Sequence, residues 1–176
     1  GIPAAIKHLS KYYAKLPVAF DLQPAIMLAR NGFSVDPRYV RAVGWVEKRI
    51  RKFALAERIF FNQGEPYKVG EILRQPELAE TLEVMAEDLD SFYHGEIAEE
   101  MVNHVTSSGG NWTRKDLQNY EVKEREAVTI DFSGAKIITA PLPSSGGLVM
   151  SQVFNILEDW SYYNHDNTGR SHLMVE

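Results

Sequence analysis

The sequence predicts an α+β chain, mainly helical, with one β-hairpin in its C-terminal half. Three observations carry this. Apolar residues recur at three- and four-residue spacing over most of the first 120 positions, between proline and glycine stops. Two apolar runs, Ala127 to Phe132 and Ala135 to Ala140, are joined by Ser133-Gly134, the pattern of a hairpin closed by a tight turn. From Leu148 the helical spacing returns. The 176 residues read as a single domain or fragment: a helical part over 1–120, the hairpin over 121–143, and helices over 145–176.

Taken in order, Pro3 suits the first turn of an opening helix. Ile6, Leu9, Tyr12 and Tyr13 form its stripe, expected to be buried, and Leu16-Pro17 ends it. A second helix is expected from Asp21 or Gln23, with Pro24 in its first turn and Ile26, Leu28 and Ala29 along it. Gly32 fits its stop, with Leu28 and Phe33 as the hydrophobic pair of a Schellman ending. Asp36-Pro37 caps a third helix that runs at least through Val46 and toward Phe53. Ile59-Phe60-Phe61 and the Gly64-Glu65-Pro66 turn read as a short extended piece.

Pro76 opens a helix with Leu78, Leu82 and Met85 on one face, supported by Ala79 and Ala86. Asp88 to Tyr93 reads as a connecting turn. Ile97, Met101 and Val105 mark another amphipathic helix, ended by Gly109-Gly110 through positive φ. Thr113 and Asp116 have capping-box spacing for a short helix whose buried side is Leu117 and Tyr120. In the hairpin, Val128 and Ile130 alternate with Thr129 and Asp131, and Pro141 and Pro143 end the pairing because they donate no hydrogen bond. Ser144-Ser145-Gly146-Gly147 opens into the stripe Leu148, Val149, Val153, Ile156 and Leu157, on a helix expected from Gly147 to Tyr162. Asn164 to Gly169 reads as a polar loop, and Ser171 to Glu176 as the start of a last helix.

Composition narrows function by exclusion. A net charge of −5 argues against a nucleic-acid binder, which is normally basic overall. No apolar run approaches the roughly 18 to 20 residues needed to span a bilayer, and Gly1 opens directly into an amphipathic helix with no signal peptide in view. With zero cysteines the chain has no disulfide, thiolate zinc site or cysteine nucleophile.

The side chains that could carry chemistry are scattered. Arg38, Arg41, Lys48, Arg49, Arg51, Lys52 and Arg58 make one basic segment, either a face for an anion or partner or a solvated helix side. The amides opening the helix after Ser144-Ser145-Gly146-Gly147 could take a carboxylate; the plainer reading is an N-cap with glycines allowing tight packing on the sheet. Of the histidines His8, His94, His104, His165 and His172, His172 shares a helical i,i+4 spacing with Glu176 that could hold a metal, and an ordinary surface pair accounts for it. Asn111-Trp112-Thr113 matches a glycosylation sequon, to which no role is given. Trp45, Trp112, Trp160 and Tyr162-Tyr163 read as core or subunit-contact residues rather than a ligand cage.

The order of motifs resembles the γ-glutamyltranspeptidase family. The carriers are Gly109-Gly110, then Thr113, Asp116, Leu117 and Tyr120, then Val122 and Arg125, the hairpin, and the corner Pro141, Pro143, Ser144, Ser145, Gly146 and Gly147. Upstream, Phe92 to Ala98, Pro76 to Ala79, Pro24-Ala25, Leu28 to Phe33 and Gly1-Ile2-Pro3 extend it over nearly the whole chain. Departures fall at Ala4, His8, Ala127 and Leu142, and over the basic stretch from Gly44 to Phe60.

The resemblance implies an internal segment of the large subunit of an αββα N-terminal-nucleophile hydrolase, periplasmic or extracellular. In that family the precursor cleaves itself. The new N-terminal threonine of the small subunit attacks γ-glutamyl amides such as glutathione, with its own α-amine as base. None of Thr81, Thr106, Thr113, Thr129, Thr139 or Thr168 has a matching cleavage context, so no catalytic, cofactor or metal residue is assigned here. The implied partners are the remainder of the precursor and small γ-glutamyl substrates, with no nucleic acid and no membrane span. A γ-glutamyl polymer hydrolase or acylase is the sibling reading. A stand-alone helical binding module using the basic 38–58 segment is the competitor from another class.

Overall fold

The computed structural model describes residues 1–159 and 166–175. Where the sequence reads as a single domain or fragment, the chain divides into two compact units, Gly1–Val122 and Lys123–Glu176.

The first unit opens with α1 (Ile2–Tyr12) and α2 (Val18–Asn31), then β1 (Phe33–Ser34), α3 (Pro37–Ile50) and α4 (Ala54–Phe60). Three short strands follow: β2 (Phe61–Asn62), β3 (Glu65–Pro66) and β4 (Ile72–Leu73). The unit closes with α5 (Pro76–Glu87), α6 (Ser91–His94), α7 (Glu96–Ser107) and α8 (Arg114–Gln118). Its core is the seam between α2 and α5, where Leu22, Ile26 and Ala29 meet Ala79, Met85 and Leu89. Ala79 is wholly inaccessible; its small side chain lets the two helices approach closely. Leu78 is left 43% exposed, so the inner face of α5 runs through Ala79 rather than through Leu78 as the spacing suggested.

Helix α2 starts earlier than expected, at Val18, with Pro17 at its N-cap and Pro24 inside it. Both Pro24 and Phe20 are exposed, so the carbonyl that Pro24 leaves without a donor can be hydrated. The expected Schellman ending is absent from this helix. Gly32 donates to the Leu28 carbonyl (2.9 Å) but has φ 86° and ψ 169°, which sends the chain straight into β1. Leu28 and Phe33 both remain exposed. The Schellman pattern appears instead on α7, where Gly109 donates to Thr106 (3.0 Å) and Gly110 to Val105 (2.8 Å).

Strand β1 pairs antiparallel with β4, Phe33 opposite Leu73 and Ser34 opposite Ile72. This ladder, not foreseen in the sequence, continues into Val35 donating to Glu71 (2.8 Å) and buries Val35 and Leu73 to 1% exposure each. Ile59 and Phe60 prove helical rather than extended, because Ala54, Leu55 and Ala56 carry α4 through them. Only Phe61–Asn62 pairs with Glu65–Pro66, around Gln63 and Gly64, both at positive φ.

The stripe of α1 is also corrected. Ile6 packs on the core, but Leu9, Tyr12 and Tyr13 are 55–65% exposed. At α6, buried Tyr93 stacks on Tyr120 (5.7 Å, 6°) and its hydroxyl accepts from the Ala4 amide (3.3 Å), tying α1 and α8 to the same turn. Leu117 is half-buried, while Tyr120 stays 49% exposed, short of the buried position expected.

In the second unit, β5 (Val128–Phe132) pairs antiparallel with β6 (Ala135–Thr139), from Val128 opposite Thr139 to Phe132 opposite Ala135. Ser133 (φ 49°) and Gly134 (φ 79°) form the turn, as the Ser-Gly pair predicts. Helix α9 (Ser145–Asp159) lays Phe154 on Phe132, ring centres 4.6 Å apart. Most of its predicted stripe points the other way: Leu148, Val149, Val153 and Ile156 are 46–54% exposed, while Leu157 is half-buried. The final helix, α10 (Asn167–Val175), takes in Asn167 to Gly169, which the sequence placed in a loop. Asp166 explains this, since its carboxylate accepts from Gly169 (2.8 Å) and its carbonyl from Arg170 (2.9 Å), a cap that outweighs the glycine. Trp160, Tyr162-Tyr163 and His165, and the continuation of the expected helix to Tyr162, lie outside the described residues.

Candidate functional site

The corner from Pro141 to Gly147 is built for close packing. Ser144 donates to the Pro141 carbonyl (3.1 Å), the Leu142–Pro143 bond is cis, and α9 begins at Ser145. Gly147 is buried, and a Cβ there would stand 2.7 Å from both the Ala140 oxygen and Thr139 Cγ2. The glycine therefore lets the helix start press on the end of β6, in line with the packing reading. At the candidate anion site, Ser144 and Ser145 are both exposed.

The basic segment separates into two sets. Arg51 is a structural latch: it bonds Glu47 (2.9 Å), Glu57 (2.7 Å) and the Gly64 carbonyl (2.9 Å), and its guanidinium lies 4.5 Å from the Phe61 ring. Those hydrogen bonds to Glu47, then to Glu57, push its pKa further up. Arg58 pairs with Glu77 (2.6 Å) across to α5. Residue type alone does not separate these two from the rest; the i,i+4 spacing of Glu47 and Arg51 is the signal in the sequence. Arg38, Arg41, Lys48 and Arg49 share the outer face of α3 with Trp45, and Lys52 follows just past its end.

The remaining candidates fall into structural roles or stay apart. Thr81 and Thr106 donate to helix carbonyls four residues back, Glu77 (3.0 Å) and Val102 (2.8 Å). Thr113 is the N-cap of α8 in a capping box: its amide and hydroxyl both donate to Asp116 (2.7 and 2.8 Å), and the Asp116 amide donates back to the hydroxyl (3.3 Å). Those bonds hold the Asp116 carboxyl below the usual range, the side-chain one first. Asn111 of the sequon is exposed and Trp112 is 47% exposed. Thr129 and Thr139 sit in the hairpin, and Thr168 and His172 in α10. Glu176, the other half of the i,i+4 pair, lies outside the described residues. Among the described residues no three His, Asp or Glu side chains converge as a metal site.

One titrating group stands out beside the segment. The Tyr39 hydroxyl donates to the Phe60 carbonyl (3.1 Å), with the Tyr67 ring edge-on at 6.3 Å. Burial, and secondarily Tyr67, pushes its pKa up to about 12. Between the ordinary value of 10.0 and about 12 the unfolded chain releases a proton that the folded chain keeps. Stability is therefore full below that window and falls as pH rises through it. Burial raises the Tyr93 phenol as well, so a phenolate absorbance titration should show late tyrosines, one of which is removed by Tyr39→Phe; an unchanged late amplitude in that variant would contradict the assignment.

Comparison with known proteins bears on the whole chain. The family model for gamma-glutamyltranspeptidase matches residues 1–176. The glutathione hydrolase proenzyme of Bacillus subtilis (strain 168) is 33% identical over 170 residues, covering 94% of this chain and 29% of that protein. That of Escherichia coli (strain K12) is 34% identical over 168 residues, covering 93% of this chain and likewise 29% of its own length. The fold agrees with the gamma-glutamyltranspeptidase from Pseudomonas nitroreducens complexed with L-DON: TM-score 0.84, 34% identity, over 92% of this chain and 47% of that one. The chain thus spans about 29% of the length of the curated relatives it matches, and no described helix is long and apolar enough to cross a membrane. With the family model matching all of residues 1–176, the chain belongs to the gamma-glutamyltranspeptidase family.

Proposed function

We propose that the chain is a scaffold segment of an enzyme that hydrolyses or transfers γ-glutamyl groups from substrates such as glutathione. The N-terminal threonine nucleophile and the substrate ligands are contributed by the rest of a longer precursor. The observation that carries this is the outward apolar face of α9, Leu148, Val149, Val153 and Ile156, in a chain matching under a third of its relatives' length. A self-contained domain seldom leaves such a contiguous apolar stripe in water. The hydroxyls of Thr81 and Thr106 are engaged by helix carbonyls, and that of Thr113 by the Asp116 carboxylate of its own capping box, which supports this reading.

The chain alone is expected to release no product from a γ-glutamyl anilide and to give no saturable heat when titrated with glutamate or glutathione. A clear isotherm lost on Ser145→Ala would overturn this by placing a ligand site at the α9 start. The gene supplies a second check. An arginine region upstream and a threonine at a processing site downstream are expected in the same open reading frame, and their absence would favour the stand-alone module.

A further inference from the structure

We propose that the outer face of α3 is a docking surface for an anionic lipid bilayer, a property separate from the γ-glutamyl reading. Arg38, Arg41, Trp45, Lys48 and Arg49 all fall within about 100° of arc on a helix that turns 100° per residue. Lys52 continues the line, so five cations lie along roughly 20 Å. The opposite side, carrying Tyr39, Val40, Val43, Glu47 and Ile50, is turned inward, with Val43 buried.

The segment's own acids do not neutralise this face. Asp36 caps α3 by accepting from Tyr39 (2.7 Å), and Glu47 and Glu57 both bind Arg51. The whole chain carries −5, so five outward cations on one helix run against its overall sign. At their centre Trp45 is 81% exposed, and Phe53, next to Lys52, is 66% exposed.

A convex ridge of cations around an exposed indole suits a flat anionic surface, which all five charges can reach together. Tryptophan favours the headgroup level, and clustered Lys and Arg are attracted to anionic lipid.

The test is co-sedimentation of the complete gene product with vesicles of phosphatidylcholine alone and of phosphatidylcholine mixed equally with phosphatidylglycerol. Binding is expected only to the mixed vesicles, weakening as salt is raised. Each cation near such a surface contributes about fivefold in partitioning, so Arg41→Gln with Arg49→Gln should lose roughly thirtyfold. Arg38→Gln with Lys48→Gln should lose a similar factor. These side chains are exposed, and unchanged circular dichroism would show that the fold is kept. Arg58→Gln, whose cation is already paired with Glu77, should stay within about twofold. Equal uptake by neutral vesicles, no loss in either double variant, or the same loss in Arg58→Gln would overturn the proposal. So would retention on immobilised polyglutamate with no uptake by the mixed vesicles, which would make the face a site for an acidic polymer.

Discussion

Gly32→Ala is expected to destabilise the first unit by about 4 kcal/mol, much of a typical domain margin of about 5–15 kcal/mol. Two independent costs add. With φ 86° and ψ 169°, Gly32 sits in a region that only glycine occupies readily, worth about 1–3 kcal/mol of strain to alanine. The new Cβ would also lie 2.5 Å from Ile72 Cγ2, 2.7 Å from Arg74 Cγ and 2.7 Å from the Leu73 oxygen, adding about 1–3 kcal/mol of overpacking. The side chains could shift, but the carbonyl belongs to the β1–β4 ladder that buries Val35 and Leu73. The natural comparison is Gly44→Ala on α3, where nothing lies within 4 Å of the added Cβ. That change should stabilise by about 0.5–1 kcal/mol through helix propensity. Urea midpoints followed by circular dichroism measure both. A Gly32→Ala midpoint equal to wild type would mean β4 does not lie against the end of α2.

The same glycine marks the boundary of what the sequence makes legible. Its role as a helix stop was readable, because positive φ after an apolar stripe is a local requirement. Thr113 with Asp116, Gly109-Gly110, Asp36-Pro37 and Ser133-Gly134 were readable for the same reason: their partners lie within a few residues. The reason Gly32 tolerates no Cβ was not readable, because Ile72 and Leu73 reach it from far along the chain on a strand of two residues. So short a strand leaves no alternation to detect. Pro24 misleads because proline favours the first turn of a helix, which sets the expected start at Asp21 or Gln23. Once Pro17 serves as the cap, an exposed proline inside the helix is tolerable.

Periodicity was less informative about burial than about faces. It placed Tyr12 with Leu9 on α1 and Val153 with Ile156 on α9, yet all four are exposed. A stripe shows which side of a helix avoids water, not what covers it. For the site, the residue types in the basic segment were evident, but the division between Arg51, held by two glutamates, and outward Arg41 or Arg49 needed coordinates.

The uncovered stripe on α9 gives the second large effect, and its sign depends on what surrounds the chain. Leu148→Asp with Val153→Asp should barely change the stability of the 176-residue chain. Both side chains are about half exposed, surface substitutions usually shift stability by about 0.5 kcal/mol or less, and an acid at position 148 suits the first turn of a helix. In the longer precursor proposed above, the same face is covered, and each carboxylate taken from water without a partner costs several kcal/mol. Two of them would exceed the margin of about 5–15 kcal/mol, so soluble yield and self-processing of the precursor should collapse. Phe154→Ala on the inward face supplies the converse. It removes the stack on Phe132 and should cost about 2 kcal/mol in chain and precursor alike. Melting temperatures of the chain, set beside yield and processing of the precursor, separate the two faces. A precursor that carries both aspartates and still folds and cleaves itself would show that α9 faces water there too, and the scaffold reading would lose its main support.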